Sequence, residues 1–166
     1  SHRREIVTRR TIFELKKARG RAHVLEGQAV ALANIDEVIA LIKKSPTPAE
    51  AKAGLMAQDW PAGAVGGMLD KERMSDTRPD DLEEGFGLID GSYRLSPVQA
   101  QAILDLRLHR LTGLEQEKIS TEYKELLRKI QIFLNILSDP DELLKVIREE
   151  LIEIRDEYGD ERRTEI

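Results

Sequence analysis

A chain of 166 residues, 40% hydrophobic and 34% charged, is long enough to bury one core, while an aromatic content of 4% excludes a core built on bulky rings. With no cysteine there is neither a disulfide framework nor a thiolate metal site, which fits a reducing cytoplasm. No apolar run approaches the roughly 20 residues of a membrane span, and no secretory leader precedes the first charged stretch, so a soluble protein is expected. The formal charge of −5 is unevenly spread: residues 1–23 carry eight basic side chains against Glu5 and Glu14, a balance of +6 that leaves the remainder at −11.

Residues 2–33 contain no proline and read as one continuous helix. Leu15, Ala22 and Ala29 recur every seven residues, as do Ala18, Leu25 and Leu32, which writes an a/d seam for a partner helix. Half of that seam is small, so the partner can approach closely. Gly20 and Gly27 lie inside the helix at a cost of about 1 kcal/mol each relative to alanine, either as close-approach points or as tolerated flaws. Asn34 with Glu37 predicts a new N-cap and a second helix over 35–44, which Pro46 and Pro48 end. Thr47, Pro48 and Glu50 then spell another helix start, with the helix running to about Met56.

The stretch 57–95 is the least regular. Residues 64–71 are expected to form a short helix and residues 73–81 an exposed loop. Two short strands, 86–89 and 92–95, flank an Asp90-Gly91 turn of type I′. Such a hairpin is marginal alone and must pack on the helices. Trp60 reads as a core plug.

Ser96, Pro97 and Gln99 open a helix with a serine cap, a proline at its first position and a capping-box glutamine. Along it Ala100, Ile103, Leu104, Arg107 and Leu111 form one stripe and Val98, Ala102 and Leu106 a second, adjacent one. Two stripes imply two partners: the rest of the chain and a second copy. An entirely internal core helix is the competing reading. Further on, Ile119, Tyr123, Leu126, Ile130, Phe133 and Leu137 alternate by four and three, with Leu127 and Leu134 widening the stripe. Asp139, Pro140 and Glu142 break and restart this helix, after which Leu144, Ile147, Leu151, Ile154 and Tyr158 resume the seam up to Gly159.

The first helix leads out and the last returns, so their seams are expected to meet antiparallel, the returning arm being roughly 60 Å long at 1.5 Å per residue. The expected fold is all-α with one minor β-hairpin: a long antiparallel coiled coil capped by a globular helical dimerisation head. Its parts are a first coiled-coil helix at 1–33, the head at 34–114, returning helices at 115–158 with a break at 138–140, and a connector at 159–166.

The string Gln99-Ala100-Gln101-Ala102-Ile103-Leu104-Asp105-Leu106-Arg107-Leu108, continued by Leu111-Thr112-Gly113-Leu114-Glu115, resembles the exit-gate segment found in the GyrA-type subunits of bacterial DNA gyrases. The likeness extends to residues 2–11, 31–36 and 159–166, and is loosest over 71–84. The corresponding chain of topoisomerase IV shares the beginning and the Ile103 to Leu108 core, but fits residues 111–115 and 162–164 less well. The resemblance implies the coiled coil and exit gate of a type IIA topoisomerase, whose heads pair and open to release a transported duplex during ATP-dependent negative supercoiling. Ala100, Ile103, Leu104, Arg107, Leu108 and Leu111 are the expected contributors to the homodimer interface, and Asp139 with Pro140 a candidate hinge. The partners implied are DNA, the ATP-binding gyrase B chain in the full enzyme and a CcdB-type gyrase toxin.

Catalysis by this chain alone is not expected. In gyrases the DNA-cleaving tyrosine follows an arginine, and no Arg-Tyr pair occurs here. His2, His23 and His109 lack ligand spacing, so no metal is expected, and Gly66-Gly67 makes no phosphate-cradling loop. The resemblance places ATP and magnesium elsewhere in the full enzyme. Arg3, Arg4, Arg9 and Arg10 could face DNA phosphates. They could instead pair with Glu149, Glu150, Glu153, Asp156 and Glu157, which is the favoured reading, and the two are compatible.

Overall fold

The computed structural model describes residues 2–62, 73–106 and 113–138, with the side chains of 113–115 excepted. Helix α1 (His2–Ala33) is a single 32-residue element, as its lack of proline permits. It packs on α6 (Gly113–Ser138). The two run antiparallel: Glu26 meets Tyr123, Arg21 meets Glu122, and Glu14 shares a shallow groove with Phe133. All six predicted seam positions of α1, from Leu15 to Leu32, are buried. On α6 Ile119, Tyr123, Leu126, Leu127 and Ile130 answer them; beyond Ile130 it is Ile136 that is buried, while Phe133, Leu134 and Leu137 are only partly covered. Each leucine or isoleucine taken fully from water contributes about 1.5–3 kcal/mol, so this seam is the main cohesive element of the arm.

The last third of α1 differs from the rest. Between Ala22 and Leu32 nearly every residue is buried, because α6 covers one side and α5 (Pro97–Asp105) the other. Around this pillar stand α2 (Ile35–Lys44), α3 (Pro48–Ala57) and the four-residue α4 (Met74–Thr77). Thr47 caps α3, accepting from the Glu50 amide at 3.2 Å, with Pro48 at the first position as expected. At the α1–α2 junction the expected N-cap is not made. The Asn34 side chain instead donates backwards to the Val30 carbonyl at 2.9 Å, satisfying the end of α1.

A small antiparallel sheet of order β1-β3-β2 joins the helices. Strands β2 (Gly87–Ile89) and β3 (Ser92–Arg94) form the expected hairpin, and positive φ at Asp90 (49°) and Gly91 (83°) gives the type I′ turn. A third strand, β1 (Trp60–Pro61), pairs with β3 and was not legible in two residues of sequence. Trp60 is 1% exposed and donates to the Leu55 carbonyl at 3.0 Å, pinning β1 to α3. The polar stretch after Arg73 is not a plain exposed loop: α4 buries Met74 and Thr77 between α1 and α6. The expected helix at 64–71, the break at Asp139 and Pro140 and the resumed seam to Gly159 lie outside the described residues.

Candidate functional site

Helix α5 starts as its sequence dictates. Ser96 Oγ accepts from the Gln99 amide at 3.4 Å, and Gln99 Oε1 accepts from the Ser96 amide at 3.0 Å, a closed capping box behind Pro97. Its two apolar stripes do face different ways, but the assignment needs correction. Ala100 and Ile103, expected at a surface shared with a second copy, are fully buried in the chain's own core. Leu104 is partly buried against that core. The side left facing outwards carries Val98, 61% exposed, with Gln101 and Asp105 exposed and Ala102 and Leu106 half-buried. Periodicity identified both stripes; it could not say which one the core would claim. Arg107, Leu108 and Leu111 lie outside the described residues, as do Asp139 and Pro140.

On α1, Arg4, Arg9 and Arg10 are exposed and Arg3 half-buried. Further along, the basic residues hold the arm together. Arg21 Nε and an Nη atom reach the two carboxylate oxygens of Glu122 at 2.8 and 3.1 Å, a pair that lowers the Glu122 pKa and raises that of Arg21. Both partners are half-exposed, so this bridge is worth at most about 1 kcal/mol. Arg19 donates to the Asp76 carbonyl at 2.9 Å and pairs with Asp80 at 3.3 Å.

Beneath α5 lies a buried polar cluster centred on Glu26. Its Oε2 accepts from Tyr93 at 2.7 Å and its Oε1 from Tyr123 at 2.7 Å, and Thr77 Oγ1 lies in hydrogen-bond contact with Oε1. Gln99 Nε2 donates to the Tyr93 hydroxyl at 2.8 Å and to the His23 carbonyl at 2.6 Å. His23 Nε2 meets Ser96 Oγ at 2.7 Å, which returns the network to the cap of α5. Five elements, α1, α4, β3, α5 and α6, thereby share one set of hydrogen bonds.

Burial dominates the electrostatics here. It pushes the Glu26 carboxyl above the usual carboxylate range, against the opposing pull of Thr77, Tyr123 and Tyr93 and the charge of Arg78. It lowers His23 to about 4, with Arg78 adding to the effect and Asp81 opposing it. It also raises Tyr93 well above its ordinary value, with the charge of Glu26 acting in the same direction. Tyr93 is held as a donor to Glu26 and an acceptor from Gln99. A cleft of about 350 Å³ opens beside the cluster, lined by His23, Glu26, Met74, Arg78, Gly87 and Tyr93. Arg78 on its wall is occupied, donating to the carbonyls of Phe86 and Glu83 at 2.6 Å each. Among the described residues no group of three His, Asp or Glu side chains could hold a metal ion, and no helix is long and apolar enough to cross a membrane.

Sequence reasoning missed Glu26 and Thr77. A usable signal existed: His23, Glu26 and Val30 follow i, i+3, i+7 beside the seam, a second face on a helix that a simple two-helix arm would leave in water.

The model of the DNA gyrase/topoisomerase IV A-subunit family matches residues 1–152. The chain is 60% identical over 165 residues to the DNA gyrase A-subunit of Pseudomonas aeruginosa and 61% identical over 165 residues to that of Salmonella typhimurium, covering 99% of this chain in both. It is 62% identical over 122 residues, 74% of the chain, to the DNA gyrase A-subunit of Escherichia coli. It spans only 18%, 19% and 14% of those relatives' lengths. With an antiparallel two-helix arm, a capped α5 at its head and this extent of identity, the chain belongs to the DNA gyrase/topoisomerase IV A-subunit family.

Proposed function

We propose that this chain is the arm and dimerisation head of a gyrase A-subunit, closing the DNA exit gate of the complete enzyme by pairing with a second copy of itself. The observation that carries the reading is the outward side of α5: a capped helix, anchored from beneath, that leaves Val98 61% exposed with Ala102 and Leu106 beside it. A gate must hold two protomers together and still part, which suits a self-complementary patch of about 1,200–2,000 Å² around a two-fold axis. In this proposal Arg107, Leu108 and Leu111, which follow α5 in the sequence, contribute to the same interface. The duplex released through the gate, the gyrase B chain, ATP and magnesium belong to the whole enzyme, and the DNA-cleaving tyrosine lies outside this chain.

Sedimentation equilibrium tests the interface. The wild-type chain is expected to dimerise, and Val98→Glu, which buries a charge at the contact, is expected to weaken association at least tenfold, about 1.4 kcal/mol. A wild-type chain that stays monomeric at high concentration, or a V98E variant that associates as well as wild type, would overturn the reading.

A further inference from the structure

The cleft beside Glu26 has an apolar wall of Met74, Leu82 and Leu88, and most of the polar groups that line it are already engaged. Both Glu26 oxygens accept from tyrosines, Tyr93 gives its proton to Glu26 and accepts from Gln99, and Arg78 donates to the Phe86 and Glu83 carbonyls. Ser75 stands exposed at the rim. One buried ring nitrogen remains. His23 is 5% exposed and its Nε2 meets Ser96, whereas its Nδ1 has no hydrogen-bond partner among the described residues. That nitrogen is not sealed in the core, so it opens into the cleft that His23 lines.

The proton on that nitrogen follows from Ser96. Its Oγ accepts from the Gln99 amide at 3.4 Å, and among the described residues the only acceptor within reach of its own hydroxyl proton is His23 Nε2, at 2.7 Å. Ser96 is 2% exposed, so a hydroxyl that did not donate there would be buried without an acceptor, a loss that folded proteins rarely carry. Nε2 is therefore the acceptor. Burial keeps the imidazole neutral at pH 7. A neutral imidazole with a bare Nε2 carries its hydrogen on Nδ1. The cleft thus presents one buried N–H donor that has no protein acceptor among the described residues.

We propose that this cleft binds a small uncharged molecule, which sets a carbonyl oxygen on His23 Nδ1–H and an apolar body against Met74, Leu82 and Leu88. A volume of about 350 Å³ falls at the lower end of the roughly 300–1,000 Å³ of small-molecule sites, which join apolar walls to a few placed polar groups. The flanking charges favour no ion. Arg78 stands against Glu26 and Asp81, so neither an anion nor a cation meets a wall of purely opposite sign. Occupancy also reaches α5, because an oxygen that accepts from Nδ1–H makes Nε2 a better acceptor for the Ser96 cap. This site stands independently of the gate reading.

Nitrogen-15 NMR of the histidine rings in the full chain tests the donor without any variant having to fold. His23 is expected as the Nδ1–H tautomer near pH 7; an Nε2–H tautomer overturns the proposal. The probe for the site is N-methylpyrrolidone, an amide with an apolar ring and no N–H of its own. A molecule of that size is expected to bind with a Kd on the order of 1–10 mM. Its titration is expected to move the His23 ring nitrogens saturably and to give nuclear Overhauser contacts with the Met74 and Leu88 methyls. Ring signals that stay still at concentrations well above that Kd, or shifts without those contacts, overturn the site. Leu82→Trp fills the cleft from its half-buried rim and leaves His23 in place, so it is expected to keep the tautomer and lose the response. An L82W chain that responds as wild type does would show that the probe acts elsewhere, and the site would fall.

Discussion

His23 and Glu26 stand one helical turn apart, an acid and a base of complementary charge, yet the structure holds them in separate hydrogen bonds rather than as an ion pair. Their titrations act in opposite directions. His23 is lowered from 6.5 to about 4, so the stability that it contributes is present above its unfolded pKa and is lost as pH falls through about 4. The full difference is on the order of 3 kcal/mol at 1.36 kcal/mol per unit. His23→Gln keeps an acceptor for Ser96 and has no charge to gain. Thermal melts between pH 7 and 4 are expected to show wild type losing stability relative to H23Q; parallel curves would mean that His23 protonates without penalty. None of this could be read from a lone histidine in a charged helix, since the desolvation comes from α5, which lies 73 positions away at Ser96.

At the level of elements, α1 contains its own control experiment. A Cβ built on Gly27 would lie 2.8 Å from Gln99 Cβ and 2.9 Å from its Cγ, atoms next to the backbone of α5 that cannot swing away. At Gly20 nothing lies within 4 Å. Gly27→Ala is expected to destabilise the chain by about 1–3 kcal/mol through overpacking. Gly20→Ala is expected to stabilise it by up to about 1 kcal/mol through helix propensity. Urea titration measures both; a stabilised G27A would mean that α5 does not rest on α1 there.

The same contrast explains what the sequence revealed. Seams, caps and the Asp90-Gly91 turn depend on neighbours within a few residues, so they were legible: Leu15 to Leu32, Thr47, Ser96 and the hairpin are found as expected. Which stripe of α5 turns inward, why Thr77 is buried and what Trp60 pairs with depend on contacts between distant segments. Ala100 and Val98 are both apolar in sequence, and it is the packing of α5 on α1 and α3 that leaves the first buried and the second exposed.

Among the described residues one apolar cluster runs from Leu15 on α1 through Trp60, Tyr93 and Ile103 to Ile130 on α6, and the buried hydrogen bonds of Glu26 tie the same arm and head elements together. The two are therefore expected to unfold together. Trp60 is the single tryptophan and lies inside the head, so its fluorescence reports the head while far-ultraviolet circular dichroism reports mainly the long helices. Coincident thermal transitions are expected; an earlier fluorescence transition would reveal a head that melts off an intact arm.

Strand β1 carries one more implication. Ala62 donates inward to the Gly91 carbonyl at 3.2 Å, so by strand alternation the backbone of Pro61 turns away from the sheet, on an edge where a free amide would invite another strand. Proline has none to offer. A concentrated solution of heads is thus guarded against fibre-like growth through this rim.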